Sequence, residues 1–153
     1  MTTRFAHTNV VARDWRALAE FYIAVFGCRV KPPPRQQSGD WLARGTGVPG
    51  AALEGVHLLL PGHGEAGPTL EVYSYSTPLD APAGVANRRG FGHIAFEVND
   101  VGRTVEAVVA HGGQLAGQIA ERAIEGVGTI TFVYARDPES NLVEIQSWDR
   151  SRC

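Results

Sequence analysis

The sequence has few cysteines, no marked excess of charge of either sign and no long apolar run. Its 153 residues include two cysteines, Cys28 and Cys153, which make neither a disulfide framework nor a CxxC metal motif. The 14 basic and 16 acidic residues nearly balance, and without a basic patch we expect no nucleic-acid partner. No apolar run is long enough to span a bilayer, and residues 1–5 show no signal-peptide core. We therefore expect a cytoplasmic protein with no membrane partner.

What the sequence does contain is an internal repeat. Residues 5–14 align without a gap with residues 91–100. The two segments share a Phe at the start and an Asp at the end. They also share a histidine, so that His7 aligns with His93. A repeat of this kind predicts two copies of one structural module.

The ends of the two modules also match. Residues 70–75 align with residues 143–148, and this alignment places Glu71 over Glu144. Both segments alternate apolar and polar residues with a period of two, which is typical of β-strands. Each module therefore carries one histidine near its start and one glutamate on its last strand.

The remaining patterns predict the order of the elements. A helix follows the first strand of each module, with Asp14 and Asp100 as the N-caps. Three further strands follow each helix, which gives two βαβββ modules over residues 1–78 and 91–153 with a linker over 79–90. The predicted fold class is α+β, with the twisted strands forming a curved, cup-like mixed sheet. His7, Glu71, His93 and Glu144 would converge only if the first and last strands are neighbours in each module.

Four short segments resemble the vicinal oxygen chelate superfamily. They are residues 5–7, 68–71, 90–96 and 137–144. That superfamily includes glyoxalase I, methylmalonyl-CoA epimerase, extradiol dioxygenases, and the fosfomycin and bleomycin resistance proteins. The resemblance runs over residues 5–148 and implies the glyoxalase-type fold.

The resemblance also implies a metal site. It assigns His7, Glu71, His93 and Glu144 as ligands of one divalent ion, and such a ligand set suits Ni, Co, Zn, Mn or Fe. The chain is similar to bacterial glyoxalase I in this set, which implies a lyase or isomerase acting through a metal-bound enediolate. Either Glu144 or Glu71 would leave the metal and carry the proton. A homodimer is expected, with the modules paired within one chain or exchanged between copies.

Two positions depart from the glyoxalase pattern and leave alternatives open. Val11 stands where that subfamily usually has an Arg for a glutathione carboxylate, and Tyr75 stands where it usually has an Asn. The sequence therefore leaves open whether the enzyme uses glutathione or another thiol. One alternative is a racemase similar to methylmalonyl-CoA epimerase, which usually has Gln where Glu71 stands. Another is a metal-free, drug-binding resistance protein.

The period of two also predicts a pocket for a small-molecule substrate. Residues on the same strand faces as the ligands should line it. These are Asn9, Tyr73, Tyr75, Gln146 and Trp148, and Glu97 is a further candidate. Residues 32–50, which begin with three prolines, are predicted to form a loop that could close as a lid. The other histidines, His57, His63 and His111, are not predicted as ligands.

Overall fold

The structure is a computed structural model that describes residues 3–151. Cys153 and the outermost residues of the two predicted modules lie outside the described residues. The chain divides into two compact units, Met1–Ala81 and Pro82–Cys153. Each unit combines one sheet with helix, so the α+β class is confirmed.

The first unit contains four strands and two helices. They are β1 (His7–Val11), α1 (Trp15–Phe26), β2 (Arg29–Ser38), α2 (Asp40–Thr46), β3 (Ala52–Leu59) and β4 (Thr69–Tyr75). The strand order in the sheet is β1-β4-β3-β2. The β1–β4 pair is parallel and the other pairs are antiparallel, so the sheet is mixed.

The second unit repeats this plan with small changes. Its elements are β5 (Ile94–Glu97), α3 (Val101–Ala110), β6 (Gln114–Leu115), β7 (Ala120–Ile124), β8 (Gly128–Arg136) and β9 (Leu142–Asp149). The strand order is β5-β9-β8-β6, and β7 also pairs with β8. Here too the first and last strands, β5 and β9, are parallel neighbours.

The prediction that the first and last strands of each module are neighbours is therefore confirmed in both units. One local prediction was wrong and one strand was missed. Residues 32–50 do not form an irregular loop, because β2 and α2 occupy most of that segment. The prolines are tolerated because β2 is an edge strand, where a missing N–H need not remove a ladder hydrogen bond. The exposed strand β7 was not predicted, since it lacks an apolar face.

The helix boundaries follow the predicted signals. The Asp14 side chain accepts hydrogen bonds from the backbone N–H groups of Arg16 and Ala17, which have no partner inside α1. The helix ends at Gly27, whose φ of 71° is left-handed and favours glycine. Asp100 caps α3 through the N–H of Arg103.

The core of the first unit lies between α1 and the sheet. Leu18 and Tyr22 are buried on the helix, and Leu70 and Val72 are fully buried on β4. Because side chains alternate along a strand, Glu71 and Tyr73 point to the other face of the sheet. Packing of α1 on one face thus leaves Glu71 on the opposite face, where Tyr73 also belongs to a buried cluster with Leu53.

Cys28 is buried directly after α1, and burial raises the pKa of its thiol to about 12. Since the thiolate is the reactive form, we expect Cys28 to resist a disulfide reagent at pH 8 in the folded protein. The measurement is thiol titration of a Cys153→Ser variant, with and without denaturant. One thiol should react after unfolding; rapid labelling of the folded protein would contradict the burial.

Among residues 3–151, no helix combines the length and the apolar character needed to cross a membrane. The cytoplasmic location stays a prediction.

Candidate active site

A histidine and a glutamate come together on the open face of the first sheet. Parallel pairing of β1 with β4 places His7 opposite Thr69 and Asn9 opposite Glu71. His7 Nε2 lies 3.3 Å from Glu71 Oε2. The structure therefore brings together the two residues that the repeat predicts for the first half.

The second unit holds the equivalent pair. β5 and β9 are parallel, and His93 directly precedes β5. His93 Nε2 lies 2.9 Å from Glu144 Oε2. The side chain of Glu144 is largely buried, with 15% of its surface exposed, whereas that of His93 is 31% exposed.

A turn lies directly before β9, the strand that carries Glu144. The buried Asp137 accepts hydrogen bonds from the backbone N–H groups of Glu139 and Asn141, each at 2.9 Å. Ser140 in this turn has a φ of 69°, which is left-handed. These bonds close the hairpin between β8 and β9.

His57 belongs to this site, although it was not among the site residues predicted from the sequence. Antiparallel pairing of β3 with β4 places His57 directly opposite Glu71. Its Nε2 lies 3.0 Å from Glu71 Oε1. The available signal was the lone polar residue between Val56 and Leu58, which predicts a side chain on the face away from the core.

Further polar groups surround Glu71. Thr69 Oγ1 lies 3.0 Å from His57 Nδ1, and the Tyr73 hydroxyl lies 2.9 Å from His57 Nε2. The same hydroxyl is 3.3 Å from Glu71 Oε1 and can donate to it. Asn9 Nδ2 donates to Glu71 Oε2 at 3.4 Å. Two predicted pocket residues, Asn9 and Tyr73, thus contact a predicted ligand.

Burial sets the protonation of two of these groups. It lowers the pKa of His57, and the negative charge of Glu71 opposes that change only in part. Burial also raises the pKa of Tyr73 to about 12, with a further contribution from Glu71. Near pH 7, therefore, His57 is neutral and Tyr73 keeps its hydroxyl proton.

The second pair has different surroundings. Tyr134 stands opposite Glu144, as His57 stands opposite Glu71, and its ring centroid lies 4.9 Å from that of His93. Burial, followed by the charge of Glu144, raises the pKa of Tyr134. The strand positions that hold Thr69, Asn9 and Tyr73 in the first unit hold Leu142, Ala95 and Gln146 in the second. The two pairs are thus related by the repeat but differ in the groups around them.

The other predicted pocket residues have local contacts. Tyr75 packs against a buried cluster that includes Leu42, and it lines a cavity of about 420 Å³ in the first unit. Trp148 Nε1 donates to Gln146 Oε1 at 3.3 Å, and Trp148 lines a cavity of about 750 Å³ in the second unit. Neither of these two cavities is lined by a member of a His–Glu pair. The substrate pocket therefore stays a prediction.

Glu97 has a different partner. Its carboxylate accepts from the Arg150 guanidinium at 2.9 and 3.3 Å, and this hydrogen bonding lowers the pKa of Glu97. Both side chains are about half exposed, so the pair contributes little to stability.

The geometry of each pair fits a metal-binding half-site. Within each unit, the described residues hold no group of three or more His, Cys, Asp or Glu side chains arranged to bind a metal ion. Each unit instead presents one imidazole nitrogen and one carboxylate oxygen, 3.3 Å apart in the first pair and 2.9 Å apart in the second. Two neighbouring ligand atoms bound at about 2.1 Å to one ion lie about 3 Å apart, which agrees with both distances.

Comparison with protein families identifies the class of protein. The sequence model of the Glyoxalase/Bleomycin resistance protein/Dioxygenase superfamily matches residues 4–145. The chain belongs to this superfamily. Comparison with curated proteins gives no match.

Solved structures agree with this assignment. A glyoxalase family protein from Bacillus cereus has a TM-score of 0.79 at 18% identity, with 97% of this chain and 95% of that chain covered. A glyoxylase/bleomycin resistance protein/dioxygenase domain from Frankia sp. EAN1pec has a TM-score of 0.60 at 15% identity, with 99% and 96% covered. A family enzyme from Burkholderia phytofirmans has a TM-score of 0.56 at 15% identity, with 94% and 98% covered. At these identities the likeness concerns the fold.

Proposed function

We propose that this protein is a metal-dependent lyase or isomerase of the glyoxalase I type that acts on a small molecule. In this proposal His7, Glu71, His93 and Glu144 together bind one divalent ion. The observation that carries it is the duplicated His–Glu pair, with the imidazole nitrogen and the carboxylate oxygen about 3 Å apart in both units. A homodimer is part of the proposal and can be tested by sedimentation equilibrium.

The chemistry of the donor set supports a divalent metal ion. Two imidazoles and two carboxylates suit Ni, Co, Zn, Mn or Fe better than Mg or Ca, which prefer oxygen ligands alone. Such a cation would act as a Lewis acid that stabilises negative charge on two neighbouring substrate oxygens. The four side chains would hold the ion, and the ion would supply this Lewis acidity to the substrate.

The reaction also needs a base to take a proton from the carbon next to the substrate carbonyl. We assign this role to Glu144. Within the described residues its polar contact is His93, whereas Glu71 contacts His7, His57, Tyr73 and Asn9. A carboxylate with fewer contacts can move toward the substrate, accept the proton as the enediolate forms, and return it to the neighbouring carbon.

Metal content and two assays test the proposed function. The protein is stripped with chelator, reloaded separately with Ni, Co, Zn, Mn or Fe, and its metal content is measured. One tightly held ion for each chain supports the proposed site, and a protein that retains no metal excludes it.

The assays then separate the two enzymatic possibilities. The loaded protein is given methylglyoxal with glutathione or another low-molecular-weight thiol, and in parallel a CoA thioester in deuterated water. Thioester formation from the first mixture supports the glyoxalase type. Proton exchange in the second mixture alone would favour the epimerase-like alternative. Binding of a bleomycin-type drug by a protein without metal would favour the resistance protein.

A further inference from the structure

The two oxygens of the Glu71 carboxylate have different neighbours. Oε2 lies beside His7 Nε2 at 3.3 Å and accepts from Asn9 at 3.4 Å. Oε1 lies on the other side, 3.0 Å from His57 Nε2 and 3.3 Å from the Tyr73 hydroxyl. Oε2 is therefore the oxygen next to the other predicted ligand of this unit, and Oε1 has the shorter contacts to the surrounding polar groups.

The hydrogen-bond pattern selects one tautomer of His57. A neutral imidazole carries its proton on one nitrogen and accepts on the other. With the proton on Nδ1, Nε2 could accept from the Tyr73 hydroxyl at 2.9 Å, but its lone pair would also face the charged Glu71 Oε1 at 3.0 Å, which is repulsive. With the proton on Nε2, His57 donates to Glu71 and its Nδ1 accepts from the Thr69 hydroxyl at 3.0 Å. The second arrangement pairs every polar atom, and Tyr73 can then also donate to Oε1.

We propose that Thr69, His57 and Tyr73 form a positioning chain that holds Glu71 Oε1 and presents Oε2 beside His7 to the bound cation. This inference rests on the proposed function, in which Glu71 is a metal ligand. His57 is a positioning residue here because it acts through Glu71. The chain lies entirely within the first unit, on strands β3 and β4.

Burial strengthens this arrangement. Thr69 is 5% exposed, and the side chains of His57 and Glu71 are 17% and 12% exposed. Hydrogen bonds in such surroundings are stronger than in water, and an unpaired polar atom there is costly. A chain with every member satisfied therefore holds one orientation of the carboxylate.

The second unit shows what the site is like without such a chain. Leu142 stands at the Thr69 position and cannot donate a hydrogen bond, and Tyr134 stands at the His57 position. Glu144 therefore lacks the anchor that Glu71 has. The protein thus combines one carboxylate that contacts such a chain with one that does not.

The first test uses metal-free protein and does not depend on activity. Two-dimensional ¹⁵N NMR of the imidazole nitrogens reports which nitrogen of His57 carries the proton. We expect the Nε2–H form in the wild type. Thr69→Val keeps the shape but removes the hydroxyl, so it should keep this tautomer and shift the Nδ1 signal, because Nδ1 loses its hydrogen bond. The control is Thr8→Val on the other face of the same sheet, which should leave the His57 signals unchanged. An Nδ1–H form in the wild type, or an unchanged Nδ1 signal in Thr69→Val, would overturn the positioning chain.

The second test measures metal affinity. Competition with a chelator gives the dissociation constant for Zn²⁺ or Ni²⁺ in the wild type, Thr69→Val, His57→Phe and the Thr8→Val control. We expect Thr69→Val and His57→Phe to weaken binding about 10- to 100-fold, the usual effect of losing a group that orients a metal ligand. Circular dichroism checks that each variant is folded.

The outcomes distinguish a failure of the positioning chain from a failure of the proposed function. If the wild type binds metal and the two variants bind it equally well, the positioning role is wrong while the metal site stands. If the wild type binds no metal, the proposed function is wrong and the role assigned to the chain is lost with it. In that case the NMR result still shows whether the hydrogen bonds themselves exist.

Discussion

Glu144→Gln is expected to lower the isomerase activity about 100- to 10,000-fold, the usual range for loss of a general base. The amide has nearly the same shape as the carboxylate but cannot accept the substrate proton. The glutamine oxygen can still lie beside His93, so that part of the metal affinity should remain. The measurement is kcat of each variant, normalised to its metal content.

Three comparisons make this result specific. Glu71→Gln should retain more activity than Glu144→Gln, because the proposal gives Glu71 a binding role. Glu106→Gln, an exposed position on α3, should leave activity unchanged. If Glu71→Gln and Glu144→Gln both keep full activity with metal bound, the base lies elsewhere in the protein.

Gly55→Ala is expected to destabilise the protein by about 1–3 kcal/mol or more, as overpacking does in a close-packed interior. A Cβ atom at Gly55 would lie 2.1 Å from the carbonyl oxygen of Val72 and 2.4 Å from Cδ1 of Tyr73. The first of these atoms belongs to the backbone of β4 and cannot move alone. The measurement is the midpoint and slope of urea unfolding.

A second glycine provides the matched control for this prediction. Gly64→Ala adds the same methyl group in the same unit, where nothing lies within 4 Å and φ is not positive. Its effect should stay within about 0.5 kcal/mol. An unchanged urea midpoint for Gly55→Ala would show that β3 can move away from β4. Gly55→Ala should also weaken metal binding, because Tyr73 would be displaced from Glu71.

Some elements could be predicted because their signals are local. Asp14 and Asp100 cap their helices through backbone groups a few residues away, and the turn at residues 137–141 closes on itself. The strands β4 and β9 alternate apolar and polar residues because one face is buried. In these segments the residues that determine the structure lie within a few positions of one another.

Other elements depend on neighbours that are distant in the sequence. The β2 strand contains Pro32–Pro33–Pro34 and exposes most of its residues, so its own pattern does not indicate a strand. It forms because β3 provides a partner along one edge. The β7 strand has no buried residue at all and exists through its pairing with β8. Sequence periodicity carries no signal for such edge strands.

The sequence by itself determined the repeat, the α+β class and the His–Glu pair of each half, because duplicated segments and period-two strands are visible in a single chain. Only the tertiary structure decided that His57 lies opposite Glu71 and that the two pairs have unlike surroundings. The physical reason is strand register, since the pairing of β3 with β4 determines which side chains meet and a shift of one residue would turn them to the other face.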